Sequence, residues 1–382
     1  MIDYQMFYCR SFQPEGRFCK RIHFFKMDFA STDLKSWLID RNSEAHHDLQ
    51  RSYLGFVVIK PVKGEDGTPI IGRTVLKTPR PDEEGRCRFA TSAHLVSLAG
   101  LPLQVEGMPF QVQDRSVGAC AQIALWSAIQ PAAHIFGIHT YSPAEITRIS
   151  SQFPSETRVF PAGGLNISQM ITFLRSIGLE VEVIRGLNTD IASTAIKAYI
   201  ESDISPIATL QLTRPDETEF HAVAIAGYAC DSSGRLERIY IHDDQMSPYT
   251  AVTQTDTGDS PVTWNTPWSD EGYTTHLVKL LIPVYHKIRL DFYNAYARHT
   301  SARESLSPDA RTELYLKTVQ DYKKFLLSQR IADKDNVLTM HLPRFLWVIR
   351  VLMGEKPSYD SVYDGTTAAP RSPLAPLIIR YT

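Results

Sequence analysis

The feature that most constrains the fold is a run of strand-like segments in the second half of the central region. They lie at about 206–212, 221–228, 236–242 and 276–285, and turn compositions such as DSSG separate them. Strands that follow one another with short connections pair most simply as antiparallel neighbours. The pattern therefore predicts an antiparallel sheet.

Helix signals precede these strands. After a cap at Asn166 or Ser168, apolar residues recur at helical spacing, at Met170, Phe173, Leu174 and Ile177. Gly178 ends that helix, and the alternating segment LEVEV then indicates a strand. A second helix is predicted through Ile196, Tyr199 and Ile200. Helices followed by consecutive strands indicate the α+β class.

A cysteine opens another apolar helix. In FQVQDRSVGACAQIALWSA, Gly118 and Ala119 precede Cys120, which falls in the first turn. The free amides and partial positive charge of a helix start favour thiolate, and can lower a cysteine pKa from about 8.5 to between roughly 3.5 and 7.5. We therefore expect Cys120 to be a nucleophile.

A histidine and two carboxylates follow in the predicted sheet. His221 begins the segment HAVAIAGY, and the strand IYIH runs directly into Asp243 and Asp244. Strand alternation places Asp243 on the face of Ile239 and Ile241, towards the packed side. We predict that Asp243 orients His221, with Asp244 as the alternative. Each feature alone also has an ordinary structural reading, and it is their order along the chain that favours catalysis.

With these residues, the segment from about Pro109 to Tyr285 resembles papain-fold cysteine peptidases. It looks most similar to the bacterial peptidases that process bacteriocins at a double-glycine leader. Four stretches carry the resemblance: QDRSVGACAQIALW, GLNISQMITFLRSIGLEVEVI, ISPIATLQL with FHAVAIAGY, and IYIHDDQMSPY. The resemblance implies a two-lobed papain-like domain, in which a nucleophile helix packs on an antiparallel sheet, and a Cys120, His221 and Asp243 triad.

One position departs from the family. Papain-like enzymes commonly carry a glutamine six residues before the cysteine, and its side-chain amide donates to the oxyanion. Here that position is Asp114, and an ionised aspartate cannot donate a hydrogen bond. We predict that the neighbouring Gln113 takes this role, with an ordinary loop glutamine as the alternative.

The predicted function is that of a cysteine peptidase, which cleaves a peptide or isopeptide bond of a protein or peptide substrate through an acyl-enzyme. An acyl or amide transferase or a deamidase could use the same triad. A non-enzymatic binding module on a papain scaffold is the third possibility. Covalent trapping at Cys120 separates the enzymes from the binding module, and the final acyl acceptor separates hydrolysis from transfer.

Composition bounds the remaining properties. The 382 residues are 43% hydrophobic and 21% charged, as in ordinary globular proteins, and 40 Lys and Arg balance 42 Asp and Glu. This balance does not indicate nucleic acid as a partner. Five cysteines without paired spacing argue against a disulfide framework and favour the cytoplasm. No apolar run is long enough to span a membrane. We expect no organic cofactor and no metal, since His46, His47, His134 and His139 lack further ligands at suitable spacing.

The flanking regions carry no functional signal. Residues 1–105 are predicted to form a β-rich N-terminal domain or extension, and 106–286 the papain-like catalytic domain. Residues 287–355 are predicted to be a helical C-terminal region. Ser307 caps one helix and Pro308 takes its first position, and its apolar face is formed by Tyr315, Val319, Tyr322 and Leu326. The segment LPRFLWVIRVLM is predicted to dock on these helices, and 356–382 to be a loosely ordered tail.

Overall fold

The structure is a computed structural model that describes residues 18–40, 43–63, 67–79, 86–112, 120–152, 164–255, 262–368 and 376–382. It mixes helix and sheet, which confirms the predicted α+β class. None of the described helices is long and apolar enough to cross a membrane.

The N-terminal part is built mainly from strands. Its elements are β1 (Lys20–Phe25), α1 (Ser31–Asp40), α2 (Ser43–Ser52), β2 (Tyr53–Lys63), β3 (Pro69–Ile71), β4 (Val75–Leu76), β5 (Arg86–Phe89), β6 (Ser92–Leu98) and β7 (Leu101–Gly107). Strand β2 pairs with β1, β3 and β4, and β6 pairs with β7 as a hairpin. Strand β5 instead pairs with a strand of the central region, so this part of the chain joins the central sheet.

The central region contains four helices and seven strands in its described part. They are α3 (Cys120–Phe136), α4 (Pro143–Ser150), α5 (Ile167–Ser176), β8 (Leu179–Ile184), α6 (Thr189–Ile200), β9 (Ile207–Arg214), β10 (Glu217–Cys230), β11 (Leu236–His242), β12 (Thr250–Gln254), β13 (Val262–Asn265) and β14 (Thr274–Tyr285). A 3₁₀ turn, Pro267–Glu271, precedes β14.

Six of these strands close into a barrel. The order is β11, β12, β13, β14, β9 and β10, and β10 pairs back onto β11. All of these pairings are antiparallel, which confirms the predicted sheet. Strands β12 and β13 were not predicted, because they have only five and four residues in a polar segment.

The helix and strand before the barrel follow the prediction. Asn166 is the N-cap of α5, and its side chain accepts a hydrogen bond from the Gln169 amide at 2.8 Å. Asn and Ser side chains both cap helices well, so the sequence left this choice open. Strand β8 then adds to the outside of the barrel by pairing with β14.

Helix α3 is the central helix of the molecule. All its residues from Ala121 to Ala133 are buried, because it packs against β10 and β14 on one side and α4 on another. A helix that is apolar on every side requires such enclosure. Its first residue, Cys120, is only partly buried.

The prediction of a helical C-terminal region is only partly right, because residues 287–355 contain three helices and two strands. The C-terminal part of the chain contains α7 (Phe292–Glu304), β15 (Ala310–Thr318), α8 (Val319–Ser328), α9 (Lys334–Thr339), β16 (Phe345–Met353), β17 (Lys356–Asp364) and β18 (Leu377–Arg380). The four strands form one antiparallel sheet in chain order. The segment LPRFLWVIRVLM therefore contains a central strand and no helix.

The reason is that this sheet is buried on both faces. In β16, Phe345, Trp347 and Ile349 face the main core, and Leu346 and Val348 face a second core with Tyr322. Such a strand is a continuous apolar run, and periodicity cannot distinguish it from a buried helix. The predicted loose tail is also wrong for its described part, since Asp360 and Ile379 are buried in β17 and β18.

Candidate active site

Cys120 lies where a helix start meets an open cleft. It is the first residue of α3, and the cleft beside it has a volume of about 720 Å³. Volumes of this size are typical of ligand sites. The predicted nucleophile is therefore accessible from solvent, unlike Cys230, which is buried.

His221 brings β10 to the thiol. The side chain is buried, and it lies close enough to Cys120 for the cysteine to raise its pKa. Its Nε2 lies 3.0 Å from Oδ1 of Asp243. Because Nε2 is engaged by the carboxylate, Nδ1 is the ring nitrogen left to face the thiol. The structure thus brings Cys120, His221 and Asp243 together from α3, β10 and the end of β11.

Asp243 is held by three donors. Besides His221, its carboxylate accepts hydrogen bonds from the Gln245 amide at 3.0 Å and from Nε1 of Trp268 at 3.1 Å. Strand pairing explains its position, because His242 of β11 lies opposite Ala224 of β10 and the chain turns immediately afterwards. A carboxylate that accepts several hydrogen bonds is stabilised in its ionised form.

Asp244 lies beside this pair without joining it. Its Oδ1 is 3.9 Å from Nε2 of His221, which is too long for a hydrogen bond. Its Oδ2 is buried and has no hydrogen-bond partner among the described residues. Of the two candidate acids, Asp243 is thus the one bonded to the histidine.

Burial and charge give these groups different protonation states. Burial lowers the pKa of His221, but the Asp243 carboxylate and Cys120 outweigh it, and the net pKa lies well above the ordinary 6.5. Burial raises the pKa of Asp243, but the charge of His221 and its hydrogen bonds bring the net value below the ordinary range. Burial raises the pKa of Asp244 to about 7, against the opposing effect of His221. The site therefore favours an imidazolium paired with an ionised Asp243.

Trp268 is a member of the site that the sequence analysis missed. It lies in the 3₁₀ turn before β14, and its ring stands edge to face with that of His221 at a centroid distance of 5.9 Å. It thus covers the imidazole and also donates to Asp243. The only local signal was a tryptophan in the polar turn NTPWSDEG, and nothing in that turn indicates its partner.

The predicted oxyanion donor cannot be placed. Gln113 and Asp114 lie outside the described residues. Gln122, two residues after the cysteine, is buried, and its side-chain amide has no hydrogen-bond partner in the described part of the chain. It does not line the cleft.

The cleft runs between the start of α5 and the barrel. Apart from Cys120, Ala121 and His221, the residues that line it are Leu165, Asn166, Ile167, Ser168, Met170, Thr209, Leu210, Phe220, Ala222, Val278 and Lys279. Most of these side chains are apolar. Phe220 is 57% exposed at the surface, which is unusual for a phenylalanine in a strand.

The potential metal ligands of the described residues lie in the same site. Within the described ranges, the group of potential metal ligands is His221, Asp243 and Asp244, whose donor atoms lie within 4.8 Å of one another. Two of the three already form the hydrogen bond described above, which explains their proximity. Cys19, Cys87, Cys120 and Cys230 are all free, and Cys9 lies outside the described residues.

Comparison of the sequence with protein-family models and with curated proteins finds no match.

Proposed function

We propose that the chain is a papain-like cysteine peptidase or isopeptidase with Cys120 as nucleophile, His221 as acid and base, and Asp243 as the orienting carboxylate. The observation that carries the proposal is that Cys120, at a helix start, and His221, hydrogen-bonded to Asp243, line the same open cleft. The helices around α3 and the closed barrel are the two lobes in this proposal, and the cleft between them supports it.

The mechanism follows from the protonation states. His221, whose pKa is raised despite its burial, holds the thiol proton while the sulfur of Cys120 attacks the scissile carbonyl. Asp243 holds the imidazole ring in the orientation that faces the thiol. His221 then gives its proton to the leaving amine, and a water molecule that it deprotonates hydrolyses the acyl-enzyme.

The oxyanion needs donors beside the thiol. The backbone amide of Cys120 belongs to the first turn of α3, where amides have no partner within the helix. We propose this amide as one donor. The second donor in the proposal is the Gln113 side chain, as the resemblance implies.

The first experiment is covalent trapping. Intact-mass and peptide mass spectrometry would follow the protein with peptide and ubiquitin-tail probes that carry an electrophile at the scissile position. We expect one adduct, on Cys120, and none in Cys120→Ala. Cys19→Ser is the matched control, because Cys19 is exposed and lies outside the cleft. Adducts on Cys19 alone, or labelling that does not depend on which probe is added, would refute the proposal.

The second experiment measures how fast the thiol reacts. We expect iodoacetamide at pH 6 to alkylate Cys120 at least about tenfold faster than a model thiol, because the neighbouring His221 can take up the thiol proton during the reaction. His221→Ala should remove this advantage. Cys87 is an internal reference, since burial raises its pKa to about 11. Equal rates for Cys120 in both proteins would contradict the role of His221.

A third experiment separates hydrolysis from acyl transfer. With a labelled substrate and an added amine, appearance of the free acid rather than the amide would identify hydrolysis.

A further inference from the structure

Apart from the thiol of Cys120, the ionisable groups that line the cleft among the described residues are cationic. Two lining groups can carry positive charge, His221 and Lys279, and no carboxylate lines the cleft in the described part of the chain. His221 is already paired with Asp243. Lys279 is therefore the cation in this lining whose charge is available to a ligand.

A β-bulge places Lys279 on the cleft. Along the pairing of β14 with β9, Leu277 lies opposite Leu210 and Lys279 lies opposite Thr209, so that Val278 is an extra residue. Successive side chains of a regular strand point to opposite faces, but a bulge redirects them. Val278 and Lys279 accordingly both line the cleft. The hydroxyl of Thr209 also donates to the Lys279 carbonyl at 3.3 Å.

The ammonium group of Lys279 has no partner within the described residues. The side chain is half-buried, and it makes no ion pair or side-chain hydrogen bond with any residue that the structure describes. A half-buried cation without a partner is costly unless a ligand or solvent satisfies it.

We propose that Lys279 selects substrates that carry a carboxylate close to the scissile carbonyl, while the apolar lining around Met170 and Phe220 receives a neighbouring apolar group. This inference rests on the proposed thiol hydrolysis. The carboxylate can come from an aspartate or glutamate side chain or from the free end of a peptide. Both present the same planar anion to an ammonium donor.

The test compares matched peptide substrates that differ at one position near the scissile bond. One series carries glutamate, glutamine or lysine at that position, and a second compares free-acid with amidated carboxyl ends. Together they distinguish a side-chain carboxylate from the free end of a peptide. We expect kcat/KM to be about tenfold higher for an anionic peptide than for its neutral match. Lys279→Met should bring this ratio of kcat/KM values to about one. Lys279→Glu should reverse the preference, so that the peptide with lysine becomes the better substrate. Lys287→Glu, an exposed charge reversal outside the cleft, should leave it unchanged.

Two readouts separate this inference from the proposed function. Iodoacetamide labelling of Cys120 should be retained in Lys279→Met, which shows that the triad and the fold are intact. Calorimetry with Cys120→Ala measures binding of the same peptide pairs without turnover. Normal labelling with no preference for the anionic peptide would overturn the inference alone. Absence of labelling in the unmodified protein would overturn the proposed function. The ratio of the affinities for the anionic and the neutral peptide would still test whether Lys279 binds the carboxylate.

Discussion

At the scale of single residues, two adjacent buried aspartates have different surroundings. Asp243 accepts hydrogen bonds from His221, Gln245 and Trp268, whereas Oδ2 of Asp244 has no partner among the described residues. Hydrogen bonds to a carboxylate favour its charged form, and burial without them favours the neutral acid. The ionised form is therefore favoured for Asp243 and the neutral form for Asp244, although the two residues are adjacent in the sequence.

This difference predicts unequal effects of two conservative substitutions. Asp243→Asn should lower kcat/KM by up to about four orders of magnitude, because the imidazole loses the partner that orients and charges it. Asp244→Asn should cost less than about tenfold, since its carboxylate makes no hydrogen bond to His221. Steady-state rates of the two variants decide the matter, and a larger loss for Asp244→Asn would reverse the assignment.

The hydrogen bond from Trp268 to Asp243 leads to a second prediction at the residue scale. Trp268→Phe keeps an aromatic ring over His221 but removes a donor to Asp243, so the pKa of Asp243 should rise. Because Asp243 must be ionised, the acidic limb of kcat/KM against pH should move upwards by about one pH unit. Trp264→Phe is the matched control, since its Nε1 has no partner among the described residues. An unmoved acidic limb in Trp268→Phe would contradict the role of this hydrogen bond.

At the scale of elements, close backbone contact docks β5 onto the barrel. Gly227 of β10 lies opposite Phe89 of β5. A Cβ atom at Gly227 would stand 2.3 Å from Cδ1 of Phe89 and 2.6 Å from the Arg88 carbonyl oxygen. Because the second neighbour is backbone, this clash cannot be relieved by rotating a side chain. The glycine therefore permits the N-terminal part of the chain to join the central sheet.

Gly227→Ala should accordingly destabilise the protein by roughly 1–3 kcal/mol, as overpacked core positions do. Urea unfolding monitored by circular dichroism measures the change in the free energy of unfolding. Gly72→Ala is a suitable control, because its added Cβ would meet mainly the flexible side chain of Lys60. Equal stabilities of the two variants would show that β5 is not held tightly against β10.

At the scale of the whole molecule, one partly buried carboxylate joins three parts of the chain. Glu201 follows α6, accepts hydrogen bonds from Tyr228 of β10 at 2.6 Å and Lys317 of β15 at 2.8 Å, and lies 3.9 Å from Arg86 of β5. The main core is also continuous across these parts, because Leu316 and Trp347 belong to it. The C-terminal sheet therefore completes the core on which the barrel and α3 rest.

This network predicts sensitivity to acid. Burial raises the pKa of Glu201, but Lys317 and its hydrogen bond outweigh that effect and lower it to about 2. A depressed pKa stabilises the folded state above the ordinary value near 4.5, and the contribution of roughly 3 kcal/mol is lost as the pH falls towards 2.

Glu201→Gln should therefore be less stable at pH 7, and its free energy of unfolding should fall less steeply below pH 4.5. Urea unfolding at a series of pH values tests this, with the exposed Glu106→Gln as control. Parallel curves for Glu201→Gln and the unmodified protein would exclude Glu201 as a source of acid lability.

The sequence by itself determined the elements whose signals are local. The cap at Asn166, the helical spacing after it, the alternation in β8 and the apolar helix that begins at Cys120 all depend on residues within a few positions of one another. The tertiary structure alone decided that β15 and β16 are strands, because burial on both faces hides strand periodicity. It also decided that Trp268 bonds Asp243 and that a bulge turns Lys279 into the cleft, since both depend on strand pairings between residues distant in the chain.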